Sequence, residues 1–159
     1  MLRRIGLWVL AGTVVGALFA GPVAARPATQ STTCTAQLLL NISPGLTFTA
    51  QAQQLSGKGR LSGCTGGGVT SATGKGSGSS ASMSCTSGTA SGTLSLTWDT
   101  AERSRISWTV DVSSGSFTGT VTQGKFAGEP VSGSLTLTPL QGNCFTPVTK
   151  ARADGSVSL

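Results

Sequence analysis

The sequence predicts an all-β protein, an antiparallel immunoglobulin-like β-sandwich or flattened barrel of about nine short strands with two disulfides. Three observations predict this class. Apolar and polar residues alternate through most of the chain, as they do in strands with one buried face. Turn signals rich in Gly, Pro and Ser recur at intervals of about 8 to 12 residues, with no helical period after the N-terminal segment. Four cysteines and only 10% charged residues are typical of an exported, hydroxyl-rich β protein.

The N-terminal segment has the features of a secretory signal peptide. Arg3 and Arg4 precede an apolar run from 5 to 20, and small residues prepare a cleavage site after Ala25. The run is shorter than the ~20 residues that a membrane-spanning helix needs. We therefore expect a secreted, extracellular protein with no membrane contact after cleavage. The expected divisions are a signal peptide at 1–25, a loose leader at 26–32 and a single β-sandwich domain at 33–159.

The first half of the domain is expected to contain short strands with a slip in their alternation. A strand at 33–42 leads into a turn at Ser43-Pro44-Gly45, and a second strand follows at 46–52. The alternation then shifts by one residue at Gln53-Gln54, which predicts a bulge or a corner between sheets. The composition of the Gly- and Ser-rich stretch 72–84 is that of a flexible linker, but we favour an edge strand, because the stretch lies between two cysteines that are expected to approach each other.

The strongest alternation belongs to a predicted central hairpin, whose two strands are joined by a short polar connection containing Glu102 and Arg103. Its apolar faces consist of Leu94, Leu96 and Trp98 on one strand and Ile106, Trp108, Val110 and Val112 on the other. Further strands are expected around Phe117 to Val121, Val131 to Leu137 and Ala151 to Leu159.

The four cysteines, Cys34, Cys64, Cys85 and Cys144, predict two disulfides in an exported chain. A zinc site would need closely spaced Cys or His pairs, and the sequence has neither, so we expect no metal and no cofactor. Three connectivities are open. We favour Cys64 with Cys85, which closes a loop of about 20 residues, and Cys34 with Cys144, which ties the two ends of the domain together.

The chain offers no set of catalytic residues, so we expect no enzyme. A glycosidase needs two facing carboxylates, and Asp99 and Asp111 are candidates for adjacency across the hairpin. The alternation points both of them to solvent, which favours surface charges. A serine or cysteine hydrolase would lack its usual base, because the sequence has no His. The segment GKGSGS at 74–79 lacks the spacing and the following helix of a phosphate-binding loop.

Two tryptophans are the candidate ligand contacts. Trp98 and Trp108 would stack on a sugar or another flat ligand if they were exposed. They share faces with aliphatic residues, so core packing is the favoured interpretation. The net charge is +6 and the pI about 9.8. The basic residues are scattered singly in the sequence, which argues against a nucleic-acid partner. The high pI favours contact with an anionic cell-envelope polymer, and a small ligand is the other partner considered.

The chain from Cys34 onward resembles a family of small uncharacterised secreted four-cysteine β-sandwich proteins of high-GC Gram-positive bacteria. The shared features are the four cysteines, SPGL at 43–46, TWDT at 97–100, SGSFTGTV at 114–121, GKFAGEPV at 124–131 and LTLTPL at 135–140. This resemblance implies fold and compartment only. In fold, the chain is also similar to the secreted apoproteins that carry enediyne chromophores, which are immunoglobulin-like sandwiches with two disulfides.

The sequence therefore predicts a non-catalytic secreted protein that acts as an extracellular structural or binding module. One alternative is a carrier that holds a small apolar or sugar ligand in a cleft between the sheets. Another is a secreted proteinase inhibitor that presents the disulfide-braced loop from Cys64 to Val69.

Overall fold

The computed structural model describes residues 31–159, which form one closed antiparallel β-barrel. Its strands are β1 (Thr33–Leu46), β2 (Gln51–Thr65), β3 (Ala72–Met83), β4 (Thr89–Trp98), β5 (Arg103–Asp111), β6 (Ser116–Gly124), β7 (Pro130–Gln141) and β8 (Val148–Ser158). Each strand pairs with the next along the chain, and β8 closes the ring by pairing with β1. The predicted all-β antiparallel class with two disulfides is confirmed. The expected signal peptide at 1–25 and the leader residues 26–30 lie outside the described residues.

The alternating sequence determines which side of each strand faces the barrel interior. On β1, for example, Cys34, Ala36 and Ile42 are buried, whereas the intervening polar residues are exposed. The same period of two places Ser, Thr and charged side chains on the outer surface of the other strands. In residues 31–159, no helix has the length and apolar character needed to cross a membrane.

Of the two expected architectures, a sandwich or a flattened barrel, the structure has a closed barrel, and it has eight strands rather than about nine. Ser43-Pro44-Gly45 does not end a strand: β1 continues to Leu46, and the chain turns only at 47–50. The strand expected at 46–52 is therefore not a separate element, and β2 begins at Gln51 with an irregularity in its pairing to β3 between Gln51 and Gln53. The strand order is a simple meander without the crossing connections of an immunoglobulin-like sandwich. Thr32, expected in the loose leader, is fully buried and pairs with Leu159 through two backbone hydrogen bonds of 2.8 and 2.9 Å.

Strand β3 is not an edge strand. It pairs with β2 on one side and with β4 on the other along most of its length. Apart from Met83, its inward residues are small, with glycines at 74, 76 and 78. A closed ring has no free edge, so this Gly- and Ser-rich segment is held by backbone hydrogen bonds from both sides.

The favoured disulfide connectivity is wrong. Cys34 bonds Cys64, and Cys85 bonds Cys144. Cys34 and Cys64 lie on the paired strands β1 and β2, with their Cα atoms 4.1 Å apart. The 12 residues of β3 separate Cys64 from Cys85. At about 3.3 Å per residue, this strand holds the two cysteines near opposite ends of the barrel, far beyond the ~7 Å that a disulfide can span.

One end of the barrel, which we call the closed end, is filled by side chains. It contains the Cys34–Cys64 disulfide, the paired Thr32 and Leu159, and the β2–β3, β4–β5 and β6–β7 loops. Trp98 is 2% exposed there, and its ring meets that of Phe126 edge to face with centroids 5.3 Å apart. The Trp98 Nε1–H donates to Ser104 Oγ at 2.8 Å, and the Ser104 hydroxyl donates to the Lys125 carbonyl at 2.5 Å.

Candidate functional site

The middle of the barrel contains a hollow with an almost entirely apolar lining. Its volume is about 90 Å³. Several inward side chains around it are only half-buried, although they point away from bulk solvent: Leu38, Leu40, Leu94, Trp108, Val110, Leu135 and Leu137. An eight-stranded barrel is just wide enough either to be filled by side chains or to hold one small ligand. The half-buried side chains place this barrel between these two limits.

Trp108 lines the hollow, and two glycines behind it make room for its indole. Gly92 on β4 is the direct partner of Trp108 on β5, and Gly78 on β3 is the partner of Gly92. A Cβ on Gly78 would lie 2.6 Å from the indole of Trp108, and one on Gly92 would lie 2.8 Å from it. The benzo ring of the indole therefore lies next to two residues that have no side chain. The indole also stacks with Phe117 at a centroid distance of 6.3 Å.

The opposite end of the barrel, which we call the open end, is crossed by a disulfide. Cys85 in the β3–β4 loop bonds Cys144 in the β7–β8 loop. In a ring of eight strands these two loops are diametrically opposite, so the disulfide forms a strap across the opening. The β1–β2 loop covers one side of the strap, where the Cys85 N–H donates to the Thr47 carbonyl at 2.8 Å.

The other side of the strap is an open cleft beside the β5–β6 loop, which we call the mouth. The mouth has a volume of about 320 Å³. It shares Leu46, Val112, Gly115, Leu135 and Leu137 with the lining of the hollow, so the two spaces adjoin. Ser113, Ser114 and Thr136, which carry hydroxyl groups, line the mouth but not the hollow. The site thus combines an apolar interior with a hydroxyl-bearing entrance.

A carboxylate holds the β5–β6 loop at the mouth. Asp111 Oδ1 accepts hydrogen bonds from the Ser113 hydroxyl at 2.5 Å and from the Ser114 N–H at 3.0 Å. The Ser113 hydroxyl, followed by the Ser114 N–H, keeps the pKa of Asp111 below its ordinary value, because both donate to the charged form. The loop therefore retains its charged anchor at neutral pH.

The two sequence-predicted ligand contacts are in different environments. Trp98 belongs to the packed closed end and does not line the hollow. Trp108 is half-buried and forms part of the wall of the hollow. Of the two candidates, only Trp108 is therefore positioned to contact a molecule inside the barrel.

The structure does not bring the two candidate carboxylates together. Asp99 follows β4 at the closed end, where Thr70 donates to it through its hydroxyl and, at 2.9 Å, through its backbone N–H. The Thr70 hydroxyl is the main reason that the pKa of Asp99 is lowered. Asp111 ends β5 at the open end, where its direct partner on β4 is Thr89. Within residues 31–159, no group of three or more His, Cys, Asp or Glu side chains is placed to hold a metal ion.

Two features of the open end were not apparent from the sequence. Gln53 is 1% exposed, and its side-chain amide bonds both the N–H and the carbonyl of Gly45 at 3.0 and 2.9 Å. Phe48 and Phe145 are 54% and 85% exposed and pack edge to face at 5.1 Å beside the strap. The shift in alternation at Gln53 was a sequence signal for the buried amide. The Phe48–Phe145 contact had no such signal, because it joins two loops that are distant in sequence.

Comparison with known proteins returned no match: no family model, no curated protein and no solved structure is similar to this chain.

Proposed function

We propose that this protein is a non-catalytic binding protein that holds a small apolar or amphiphilic molecule inside its barrel. The observation that carries the proposal is the ring of half-buried apolar side chains around the hollow. Side chains that filled the barrel completely would be buried, as they are at the closed end. An apolar ligand entering the hollow would remove this surface from water, at about 25 cal/mol for each Å² buried.

The geometry favours a ligand with an apolar tail and one polar group. The hollow has an almost purely apolar lining, so a sugar placed there would lose its hydrogen bonds to water without replacement. Its 90 Å³ suits a short tail; an apolar cavity of about 150 Å³ holds benzene. The larger mouth, with the hydroxyl groups of Ser113, Ser114 and Thr136, suits the polar end.

We also propose that the protein is secreted and belongs to the four-cysteine family that its motifs resemble. Two disulfides indicate an oxidising, extracellular-type environment. The expected signal peptide supports export. The inhibitor alternative has less support, because Gly66, Gly67 and Gly68 form the tip of the Cys64–Val69 loop in left-handed conformations. Such a tip has no side chain to insert into a protease pocket.

Calorimetric titration with a series of n-alkanols tests the binding proposal. Affinity is expected to rise about fourfold with each added methylene, since burying one CH₂ contributes about 0.8 kcal/mol. The rise should stop once the tail fills the hollow. The Val110→Phe variant places a larger side chain in the hollow and should weaken the best alkanol about tenfold or more, the equivalent of two lost methylenes.

The matched control is Thr109→Phe, which adds the same side chain to the exposed face of the same strand. It should bind alkanols like the unmodified protein. Equal weakening by both variants, or an affinity independent of chain length, would contradict binding in the hollow.

A further inference from the structure

Folding gathers basic residues that are scattered in the sequence onto one outer face of the barrel. Five of the eight Lys and Arg residues in 31–159 lie on the outward side of strands β2, β3 and β5, with β4 between the last two. All five are exposed, and all five line one shallow depression on the outer surface. Arg152 also lines this depression, but its guanidinium is paired with Asp154. We call the five residues the basic face: Lys58, Arg60, Lys75, Arg103 and Arg105.

The strand register arranges the basic face in two parallel rows. The first row runs from Lys58 to Lys75, Ser95 and Arg105, each residue the direct cross-strand partner of the next. The second row lies two residues away along the strands and runs in the same manner through Arg60, Thr73, Thr97 and Arg103. With strands about 4.8 Å apart, each row is about 14 Å long, and the rows are about 7 Å from each other.

None of the five residues of the basic face is in an ion pair. In the described residues, the two ion pairs join Lys125 to Glu102 and Arg152 to Asp154, so no member of the basic face takes part in one. No Asp or Glu lines the shallow depression on the outer surface. Lys58 and Lys75 are directly opposite each other, an arrangement of like charges that destabilises a sheet. An external anion would relieve this repulsion.

We propose that the basic face binds a linear anionic polymer that carries phosphate or carboxylate groups along a hydroxylated backbone. The two rows of cations match repeating negative charges in a chain laid across β2 to β5. Between the cations, the hydroxyls of Thr73, Ser95 and Thr97 and the amides of Gln37 and Gln123 provide hydrogen-bonding groups for a polyol or sugar. The face is on the outside of the barrel, so this activity is independent of ligand binding in the hollow.

The composition of the basic face favours such a polymer over nucleic acid or a lipid bilayer. Single-stranded nucleic acid is held by aromatic side chains that stack on its bases, and no aromatic residue lines this face. A bilayer would be anchored by a cluster of apolar side chains, whereas Leu39 is the one exposed large apolar residue among those that line the face.

Binding of fluorescently labelled poly(glycerol phosphate) and polygalacturonate to the full chain tests this proposal. We expect binding of one or both polymers, with an affinity that falls about tenfold or more between about 50 and 200 mM NaCl, because counterions compete for the cations. Lys75→Gln should weaken binding about three- to fivefold. The triple variant Lys58→Gln/Lys75→Gln/Arg105→Gln should weaken it well beyond the single variant.

The control is Thr118→Glu, which lowers the net charge by one, as Lys75→Gln does, at an exposed site on β6 away from the basic face. It should leave polymer affinity almost unchanged, and every variant should keep the far-ultraviolet circular dichroism spectrum and the urea midpoint of the unmodified protein, which shows that it is folded. Equal weakening by Thr118→Glu and Lys75→Gln would show that only net charge matters and would overturn the proposal. Tighter binding of a 20-nucleotide oligo(dT), or of phosphatidylglycerol vesicles, than of either polymer would also overturn it.

Discussion

Glycine and tryptophan together shape the hollow at the residue scale. Gly78 faces the indole of Trp108. Any other residue at this position would clash, because its Cβ would lie 2.6 Å from the ring and 2.5 Å from the Ser91 carbonyl. The absence of a side chain thus determines where the tryptophan lies. The hollow depends on this arrangement as much as on the aliphatic residues around it.

We expect Gly78→Ala to destabilise the protein by about 1–3 kcal/mol, because overpacking would displace Trp108 or strand β4. This cost exceeds the gain of about 0.5–1 kcal/mol that Ala normally has over Gly inside a strand. Urea unfolding measures the stability, and near-ultraviolet circular dichroism reports the displaced indole. Ser77→Ala, on the exposed side of the same strand, is the control. A Gly78→Ala protein as stable as this control would show that the contact is not a constraint.

The sequence predicts that Trp98 and Trp108 are on apolar faces, but it does not distinguish their roles. Each occupies the same kind of position in an alternating strand. Their differences come from partners elsewhere in the chain: Phe126 and Ser104 for Trp98, and Gly78 and Gly92 for Trp108. Such partners depend on strand register, which alternation alone does not fix across a whole barrel.

At the scale of elements, the length of strand β3 explains why the predicted disulfide connectivity is wrong. Its composition of Gly and Ser is typical of a short edge or a linker, whereas it is a full-length strand of 12 residues between Cys64 and Cys85. A strand that crosses the whole barrel cannot bring the residues at its two ends together. The alternation of the central hairpin was a stronger signal, and its pairing of β4 with β5 is confirmed.

The two disulfides are expected to have similar effects on stability but different effects on binding. They enclose loops with sequence separations of 30 and 59, so the chain-entropy model gives each about 4 kcal/mol. Replacing Cys85 and Cys144 by Ser should also release the strap and accelerate alkanol dissociation. Replacing Cys34 and Cys64 should leave the dissociation rate unchanged, because that bond lies at the closed end.

Stopped-flow fluorescence of Trp108 measures these rates, and urea unfolding measures the stabilities. Equal dissociation rates for the two double variants would show that the strap does not control access to the hollow.

The whole molecule combines a hydroxyl-coated outer surface, one filled end and one strapped end. The sequence does not predict that β1 pairs with β8 and closes the ring, because a sandwich and a barrel have the same alternation and differ only in which strands pair. The sequence does not predict the volume of the hollow either, because that volume depends on how closely the leucines and Trp108 pack against glycines on neighbouring strands. The clustering of the basic residues likewise appears only when the strands are in register.

Quenching of Trp108 by a bromoalkanol tests most directly whether the barrel accepts an apolar molecule. Replacing Trp8 and Trp98 by Phe leaves Trp108 as the single tryptophan, and replacing Trp8 and Trp108 leaves Trp98. We expect 3-bromo-1-propanol, whose short tail suits the hollow, to quench Trp108 saturably, because the heavy atom is held beside the indole, and to leave Trp98 at the closed end almost unaffected. Quenching of Trp108 that rises linearly without saturation, or equal quenching of the two tryptophans, would contradict a binding site inside the barrel.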